Sequence, residues 1–176
     1  MEVTLRQENK NDFESVFQLI EKAFEKVEYS DHKEQFLVER LRNSEAFIPE
    51  LSIVAELDGK IVGHILFTKL QIKNEYQTFP SLALAPVSVL PEFQRKRIGS
   101  KLILHGHEIA KRLGYKSVIL LGHQDYYPRF GYELCEKYNI KMPFDVPAEN
   151  CMILALTENA LSGISGEVVY PKAFFE

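Results

Sequence analysis

Three consecutive cations precede a glycine in the segment PEFQRKRIGSKL, residues 91–102. Arg95, Lys96 and Arg97 follow an apolar run, LALAPVSVL, and come just before a stretch with helical spacing. The start of a helix presents unpaired N–H groups and the positive end of the helix dipole, so phosphates bind there. Gly99 has no side chain to keep the backbone away from a ligand. The segment predicts a diphosphate site, and solvated surface cations are the competing interpretation.

Five other side chains could exchange protons in a reaction. Tyr127 and its neighbour Tyr126 carry phenols, which can donate a hydrogen bond or a proton to a leaving group. His64 and His123 carry imidazoles, which titrate near neutral pH. Glu56 ends an apolar, strand-like run. A histidine in an apolar strand usually belongs to the core, and a carboxylate at a strand end is usually solvated, so the sequence leaves the general base open.

The two cysteines, Cys135 and Cys151, show no pattern of a metal or disulfide framework. The sequence has no CxxC pair and no Cys/His cluster with zinc spacing. We therefore expect reduced, buried thiols and no bound metal. Neither cysteine lies beside a histidine in a motif, so a covalent acyl-enzyme is not expected.

The candidate residues require helices and strands to position them, and the apolar periodicity predicts both. Helices are expected in three segments: 13–27, 31–43 and 91–113. Asn11 or Asp12 is the expected N-cap of the first, and Gly114 the C-terminal cap of the third. Strands are expected at 3–5, 51–57, 61–72, 81–90, 116–122 and 152–157, with a short helical turn and then a strand in 125–134. Asp58-Gly59 predicts a hairpin, and Pro86 a bulge, an edge or a break. The order predicts an α/β fold with one mixed sheet.

The whole chain has an ordinary globular composition. Its 176 residues suit one domain, 1–176, and 45% are hydrophobic and 26% charged. The formal net charge of −4 disfavours nucleic acid as a partner. The polar N-terminus lacks a signal-peptide pattern, and no apolar run approaches 18 residues, so we expect a cytoplasmic protein without membrane contact. There is no GxxxxGK[ST] and no GxGxxG, which disfavours the common nucleotide-binding folds.

The segment LAPVSVLPEFQRKRIGSKLI resembles the acetyl-CoA-binding signature of the GCN5-related N-acetyltransferases, the GNAT superfamily. That signature is usually written Q/R-x-x-G-x-G/A, and here it covers Gln94 to Gly99. Arg97 stands where the family usually has its first glycine. This departure is expected to be tolerable if Arg97 has an ordinary helical φ. The Arg97 side chain could then reach a phosphate of the cofactor.

A second segment, LLGHQDYYPRFGYE, resembles a later motif of the same family, in a bacterial branch that reads GHxxYYxRFGF. Tyr127, Gly131 and Tyr132 fit this motif. The resemblance covers about residues 1–135, and about 136–176 form an extension. It implies a GNAT-like, mostly antiparallel sheet flanked by helices, with a strand–helix–strand unit that binds acetyl-CoA.

The resemblance also implies roles for individual residues. Tyr127 would be the general acid in the direct transfer of an acetyl group to a primary amine. The pantetheine arm and the phosphates of acetyl-CoA would lie on these residues: Val87, Ser88, Val89, Arg95, Lys96, Arg97, Ile98, Gly99 and Ser100. His123 would line the pantetheine tunnel. A catalytically silent CoA-binding module of the same fold is the alternative, because Arg97 replaces a glycine.

The acceptor is not readable from the sequence. In the family, the first helices and variable loops build the acceptor site, here about 24–50 and 73–80. The first of these stretches is acidic, which favours a cationic amine, although a solvated helix face would carry the same charges. The acceptor could be a small molecule or a protein. The apolar tail VVYPKAFF either closes the core or bridges two subunits of a homodimer.

Overall fold

The computed structural model describes residues 2–176. Three α-helices are present: α1 (Phe13–Phe24), α2 (Glu34–Arg42) and α3 (Ile98–Arg112). Nine strands accompany them: β1 (Thr4–Gln7), β2 (Phe47–Leu57), β3 (Lys60–Lys73), β4 (Thr78–Val89), β5 (Ser117–Leu121), β6 (Glu133–Leu134), β7 (Ile140–Lys141), β8 (Cys151–Ala155) and β9 (Gly166–Val169).

All nine strands belong to one mixed sheet. Its main order is β1-β2-β3-β4-β5-β8-β6, and β9 pairs with both β3 and β7. The β4–β5 and β7–β9 pairs are parallel, whereas β1–β2, β2–β3, β3–β9, β5–β8 and β6–β8 are antiparallel. The predicted α/β fold with a mixed, mostly antiparallel sheet is therefore confirmed.

The chain divides into two compact units. The first comprises residues 1–68, 85–109 and 173–176, and the second comprises 69–84 and 110–172. Strands β3 and β4 and helix α3 contribute residues to both. That the two units form a single domain stays a prediction, as does the homodimer. No described helix is long and apolar enough to cross a membrane.

In the first unit, α3 packs closely on β3 because two glycines leave room. A Cβ on Gly106 would lie 2.2 Å from the Phe67 ring, and a Cβ on Gly63 would lie 3.0 Å from Leu102. Phe67 and Leu102 are completely buried. This packing fixes the direction of α3, and therefore the place where its N-terminus lies relative to the end of β4.

In the second unit, β5 and β8 form the core. Val118 pairs with Leu154 and Ile119 with Ile153, and three of these four residues have no exposed surface. The hydroxyls of Ser81 and Ser117 lie 2.7 Å apart and satisfy each other inside the unit. The strands missed by the sequence, β7 and β9, belong to this unit. They are short and weakly periodic, so the local pattern carries little signal for them.

The structure confirms one predicted helix end and contradicts another. The Gly114 cap is confirmed, since Gly114 has φ of +91° and the Tyr115 N–H donates to the Ala110 carbonyl at 3.1 Å. The predicted start of the third helix at Pro91 is wrong, because residues 91–93 form a 3-10 turn and α3 begins at Ile98. Asp12 occupies the N-cap position of α1 but makes no side-chain cap bond there. Its carboxylate instead accepts from the Asn9 N–H at 2.8 Å and from Arg6.

Candidate active site

The loop between β4 and α3 contains two non-glycine residues in a backbone conformation that usually requires glycine. Arg95 and Arg97 have φ of +63° and +64°, in the left-handed region. The expectation that Arg97 has an ordinary helical φ is therefore wrong. Its backbone takes a conformation that glycine adopts freely, at a cost of about 1–2 kcal/mol for any other residue. Left-handed residues alternating with others turn successive N–H groups towards one concavity, which suits an anion.

The cations of this loop are open to solvent. The side chains of Arg95, Lys96 and Arg97 are exposed, while Ile98 is 2% exposed and anchors the first turn of α3. The ammonium of Lys96 lies 5.2 Å from the centre of the Phe93 ring. The three charges therefore stand at the positive end of a 15-residue helix, beside a partly exposed Gly99. This arrangement fits a phosphate-bearing ligand.

Strand β4 contains one more residue than the segment of β3 opposite it. At one end the Asn74 N–H donates to Gln77 O at 3.0 Å, and at the other the Leu90 N–H donates to Val62 O at 2.9 Å. Val62 and Asn74, on the β3 side, are twelve residues apart in the chain, whereas their partners Gln77 and Leu90 are thirteen residues apart. A one-residue bulge therefore lies somewhere within β4, and its placement at Pro86 stays a prediction. The predicted alternative of a break is wrong, since β4 runs continuously through Pro86, which follows a cis peptide bond.

The last residues of β4 alternate in exposure. Val87 and Val89 are half-buried, and Ser88 between them is 2% exposed. Within the described residues, the parallel pairing of β4 with β5 is confined to Leu82 and Ala83. The backbone of Val87–Val89 therefore lies outside that ladder. The Gln94 side chain donates to Val89 O at 3.1 Å and ties the cationic loop to the end of the strand.

Tyr127 lies in an aromatic cluster of the second unit. Its ring centre is 5.0 Å from that of Tyr126 and 5.8 Å from that of Tyr132, both edge-on. A Cβ on Gly122 would lie 2.4 Å from the Tyr127 ring, so this glycine admits the ring. Gly131 ends the 3-10 turn that begins at Tyr127, with φ of +97°. These contacts hold the half-buried phenol of Tyr127 in place. The pKa of Tyr132 is raised, mainly by burial and to a smaller degree by the neighbouring Tyr127.

The other predicted participant of this motif, His123, is exposed. Its Nδ1 accepts a hydrogen bond from the Asp125 N–H at 3.2 Å. Its carbonyl accepts from the N–H groups of Tyr126 and Tyr127, at 3.1 and 3.4 Å. The structure therefore gives the His123 backbone a part in shaping the turn that begins at Tyr127.

Glu56 is committed to an ion pair. Its Oε2 accepts from the Nε and Nη2 of Arg6 at 3.0 and 2.8 Å, and Arg6 also donates two bonds to Asp12. The bonds from Arg6 hold the pKa of Asp12 below its usual value. These residues line a cavity of about 440 Å³ in the first unit, together with Lys22 and Lys60. A carboxylate held in this way is a poor general base.

His64 is a completely buried member of a polar network that the sequence did not reveal. Ser52 Oγ donates to Glu8 Oε2 at 2.6 Å and lies 3.1 Å from His64 Nε2. Glu8 also forms an ion pair with Arg42, so its carboxylate can only accept hydrogen bonds. The single hydroxyl proton of Ser52 is donated to Glu8 and is not available to His64. His64 must therefore donate through Nε2–H and is neutral. Burial lowers the pKa of His64 to about 4.

Residues 2–176 contain no cluster of three His, Cys, Asp or Glu side chains that could hold a metal ion. Both cysteines are free and buried.

A family model for the acetyltransferase (GNAT) domain matches residues 4–135, three quarters of the chain. The chain belongs to the GNAT family. It is an acetyltransferase.

GNAT relatives agree with this assignment. An uncharacterised N-acetyltransferase of Escherichia coli K12, YjhQ, is 40% identical over 119 residues, which are 67% of this chain. The match spans 66% of YjhQ, slightly under two thirds of that relative. A second E. coli N-acetyltransferase, YhbS, is 25% identical over 83% of this chain and 86% of its own.

Two solved structures resemble the chain along nearly its whole length. A GNAT acetyltransferase from Brucella melitensis, in complex with acetyl-CoA, is 34% identical, with a TM-score of 0.80 and 98% coverage of both chains. E. coli YhbS, in complex with CoA, superimposes with a TM-score of 0.89 over 99% of this chain and 92% of its own. At 24% identity, the second comparison shows the fold alone.

Proposed function

We propose that this acetyltransferase uses acetyl-CoA and transfers its acetyl group to a primary amine, by direct attack of the amine within a ternary complex. The observation that carries this proposal is the loop before α3, where exposed cations and the left-handed backbone of Arg95 and Arg97 come directly before a helix N-terminus. The complex of the 34% identical Brucella relative with acetyl-CoA supports it. Because Arg97 takes a φ that glycine adopts freely, the loop reaches this conformation without a glycine, which weakens the main argument for a silent binding module.

The end of β4 and the start of α3 would hold the cofactor. The backbone of Val87 and Val89 is proposed to bond the pantetheine arm, because the β4–β5 pairing among the described residues is confined to Leu82 and Ala83 and does not extend to this end of β4. The N–H groups from Arg95 to Ser100 would receive the diphosphate. The exposed cations Arg95, Lys96 and Arg97 would add charge. Acetyl-CoA supplies the activated thioester.

Tyr127 is proposed to donate a proton or hydrogen bond to the departing thiolate. Phenols ionise near pH 10 and thiols near 8.5, so complete proton transfer from a phenol to the thiolate is uphill by about 2 kcal/mol, and a hydrogen bond to the developing thiolate is the less demanding role. The aromatic cluster and Gly122 limit the motion of the Tyr127 ring. A donor whose position is already fixed loses little conformational entropy when it bonds to the thiolate. Tyr126 is the weaker candidate, because the Arg129 guanidinium lies 4.5 Å from the centre of its ring.

The acceptor amine must lose a proton, since alkylamines are protonated at neutral pH. Glu56 is occupied by Arg6, and His64 has no exposed surface. We therefore propose that ordered water removes the proton, and the exposed His123 is the remaining side-chain candidate.

A cationic amine is the proposed acceptor class. Glu25, Glu28 and Asp31 are exposed in the connection between α1 and α2. Glu34 Oε2 and Gln35 Oε1, at the start of α2, are buried acceptor atoms without a partner among the described residues. Acceptor oxygens of this kind are complementary to an ammonium group.

Thermal unfolding with acetyl-CoA tests the cofactor first, with ATP and NAD as controls. At 100 times its dissociation constant a ligand adds about 2.7 kcal/mol, which raises the melting temperature by several degrees. A shift with acetyl-CoA alone supports the proposal and justifies screening amines for thiol release. A Gly99→Trp variant should lose the shift. Absence of any shift in the wild-type protein would refute the cofactor assignment.

A further inference from the structure

Cys135 and Cys151 lie directly beyond the end of the β6–β8 ladder. Glu133 pairs with Ile153 and Leu134 pairs with Met152 in this antiparallel pair. Cys135 follows Leu134 as the first residue of a 3-10 turn, residues 135–138, and Cys151 comes just before Met152 as the first residue of β8. Directly opposite residues of an antiparallel pair have Cα atoms about 4.5–5.5 Å apart, and disulfides join Cα atoms about 4.4–6.8 Å apart. Each cysteine is one residue beyond the last ladder pair, which keeps the two backbones near a separation that a disulfide spans.

The side chains of both cysteines are buried. Cys135 is 1% exposed and Cys151 is 6% exposed. Burial raises the pKa of Cys135 to about 12, and the nearby Cys151 contributes to the rise. Burial raises the pKa of Tyr170, and the two cysteines add to the rise, so the three groups lie within electrostatic range of one another. The Cys151 thiol also donates to Pro147 O at 3.6 Å, so its hydrogen has a defined direction.

We propose that Cys135 and Cys151 are a redox modification site, at which a small disulfide such as oxidised glutathione closes a cross-strand disulfide within the chain. Cys151 reacts first because it is the more exposed of the two. Its thiolate attacks one glutathione sulfur, and one glutathione thiol leaves. The Cys135 thiolate then attacks Cys151 Sγ and releases the second glutathione. The protein loses two hydrogens and two electrons, and the oxidant gains them.

The cross-link closes the segment 136–150, which contains β7. It also fastens the end of β6, which directly follows Tyr132 of the tyrosine motif. Closing a loop of this length removes conformations mainly from the unfolded chain, so the oxidised protein melts at a higher temperature. Only thiolates react, and both thiols have raised pKa values, so cross-linking is slow at pH 7 and accelerates as the pH rises.

Incubation of the folded, fully reduced protein with oxidised glutathione at pH 8.5 tests this inference. Intact mass and peptide mapping follow the products. The expected product is a monomer that lacks two hydrogens, with a Cys135–Cys151 cross-linked peptide. A Cys135→Ser variant is the matched control, because it should stop at a retained glutathione adduct on Cys151. The wild-type melting temperature should rise by several degrees after oxidation and return with dithiothreitol.

The same oxidation of the urea-unfolded chain shows whether the folded structure brings Cys135 and Cys151 together or whether the cross-link forms only when the two cysteines meet by diffusion. If the cross-link forms in the unfolded chain but not in the folded protein, the inference is wrong. Glutathione adducts that persist on the folded wild-type protein, or disulfides between molecules, also overturn it. Once the glutathione adduct on Cys151 has formed, faster conversion of the adduct to the cross-link in the folded protein than in urea supports the proximity of the two cysteines.

Discussion

The buried network around His64 predicts a specific loss of stability in mild acid. The ordinary histidine pKa of 6.5 applies to the unfolded chain, and burial lowers the pKa in the folded protein to about 4. Between pH 6.5 and pH 4, His64 is therefore protonated in the unfolded state and mostly neutral in the folded state. Stability is complete above pH 6.5 and is lost as the pH falls through 4. From these two pKa values, the loss is about 2 kcal/mol at pH 5.

Urea denaturation at pH 7.5 and pH 5 measures this loss. Burial also lowers the pKa of His107 to about 4, so the wild-type loss contains both histidines. A His64→Gln variant isolates one of them, because its loss between the two pH values should be smaller by about 2 kcal/mol. An exposed control, His32→Gln, should lose as much as the wild type.

An equal pH dependence in the wild type and His64→Gln would show that His64 is accessible to protons in the folded state. If the variant does not fold, the titration of the His64 ring followed by NMR gives the same answer. A midpoint near 6.5 in the folded protein would contradict the network described above.

Three further predictions concern single substitutions. Tyr127→Phe should lower the turnover of acetyl transfer by about 10²–10⁴-fold without changing acetyl-CoA affinity, as measured by thiol release and calorimetry; unchanged turnover would remove Tyr127 from the acid role. Arg97→Gly should raise the free energy of unfolding by about 1 kcal/mol in urea, since glycine takes a φ of +64° without strain; a loss would mean that the Arg97 side chain stabilises the loop by more than its backbone costs. Gly106→Ala should lower stability by about 1–3 kcal/mol because its Cβ would lie 2.2 Å from Phe67, and a neutral effect would show that the ring can move.

The site could be predicted from the sequence as far as its signals were local. The apolar run before Gln94, the three cations and Gly99 are neighbours in the chain, so their place between a strand and a helix follows from pattern alone. The same holds for Tyr127, whose glycines lie within five residues of it. The exact start of α3 failed, because the spacing of apolar residues does not show where two left-handed residues interrupt the helix.

The polar networks could not be predicted because their members are far apart in sequence. Arg6 meets Glu56 across fifty residues, and Glu8 meets Arg42 across thirty-four. Each of these residues alone looks like a solvated charge. Only the packing of distant segments decides that Glu8 and Arg42 are almost fully buried and that Glu56 is occupied.

The sequence by itself determined the order of the main elements and the location of the cationic loop before α3, because periodicity and charge are properties of neighbouring residues. The tertiary structure alone decided the left-handed conformation of Arg97 and the neutral state of His64. Backbone torsion, burial and strand register depend on what packs against each residue, and the chain acquires those neighbours only by folding.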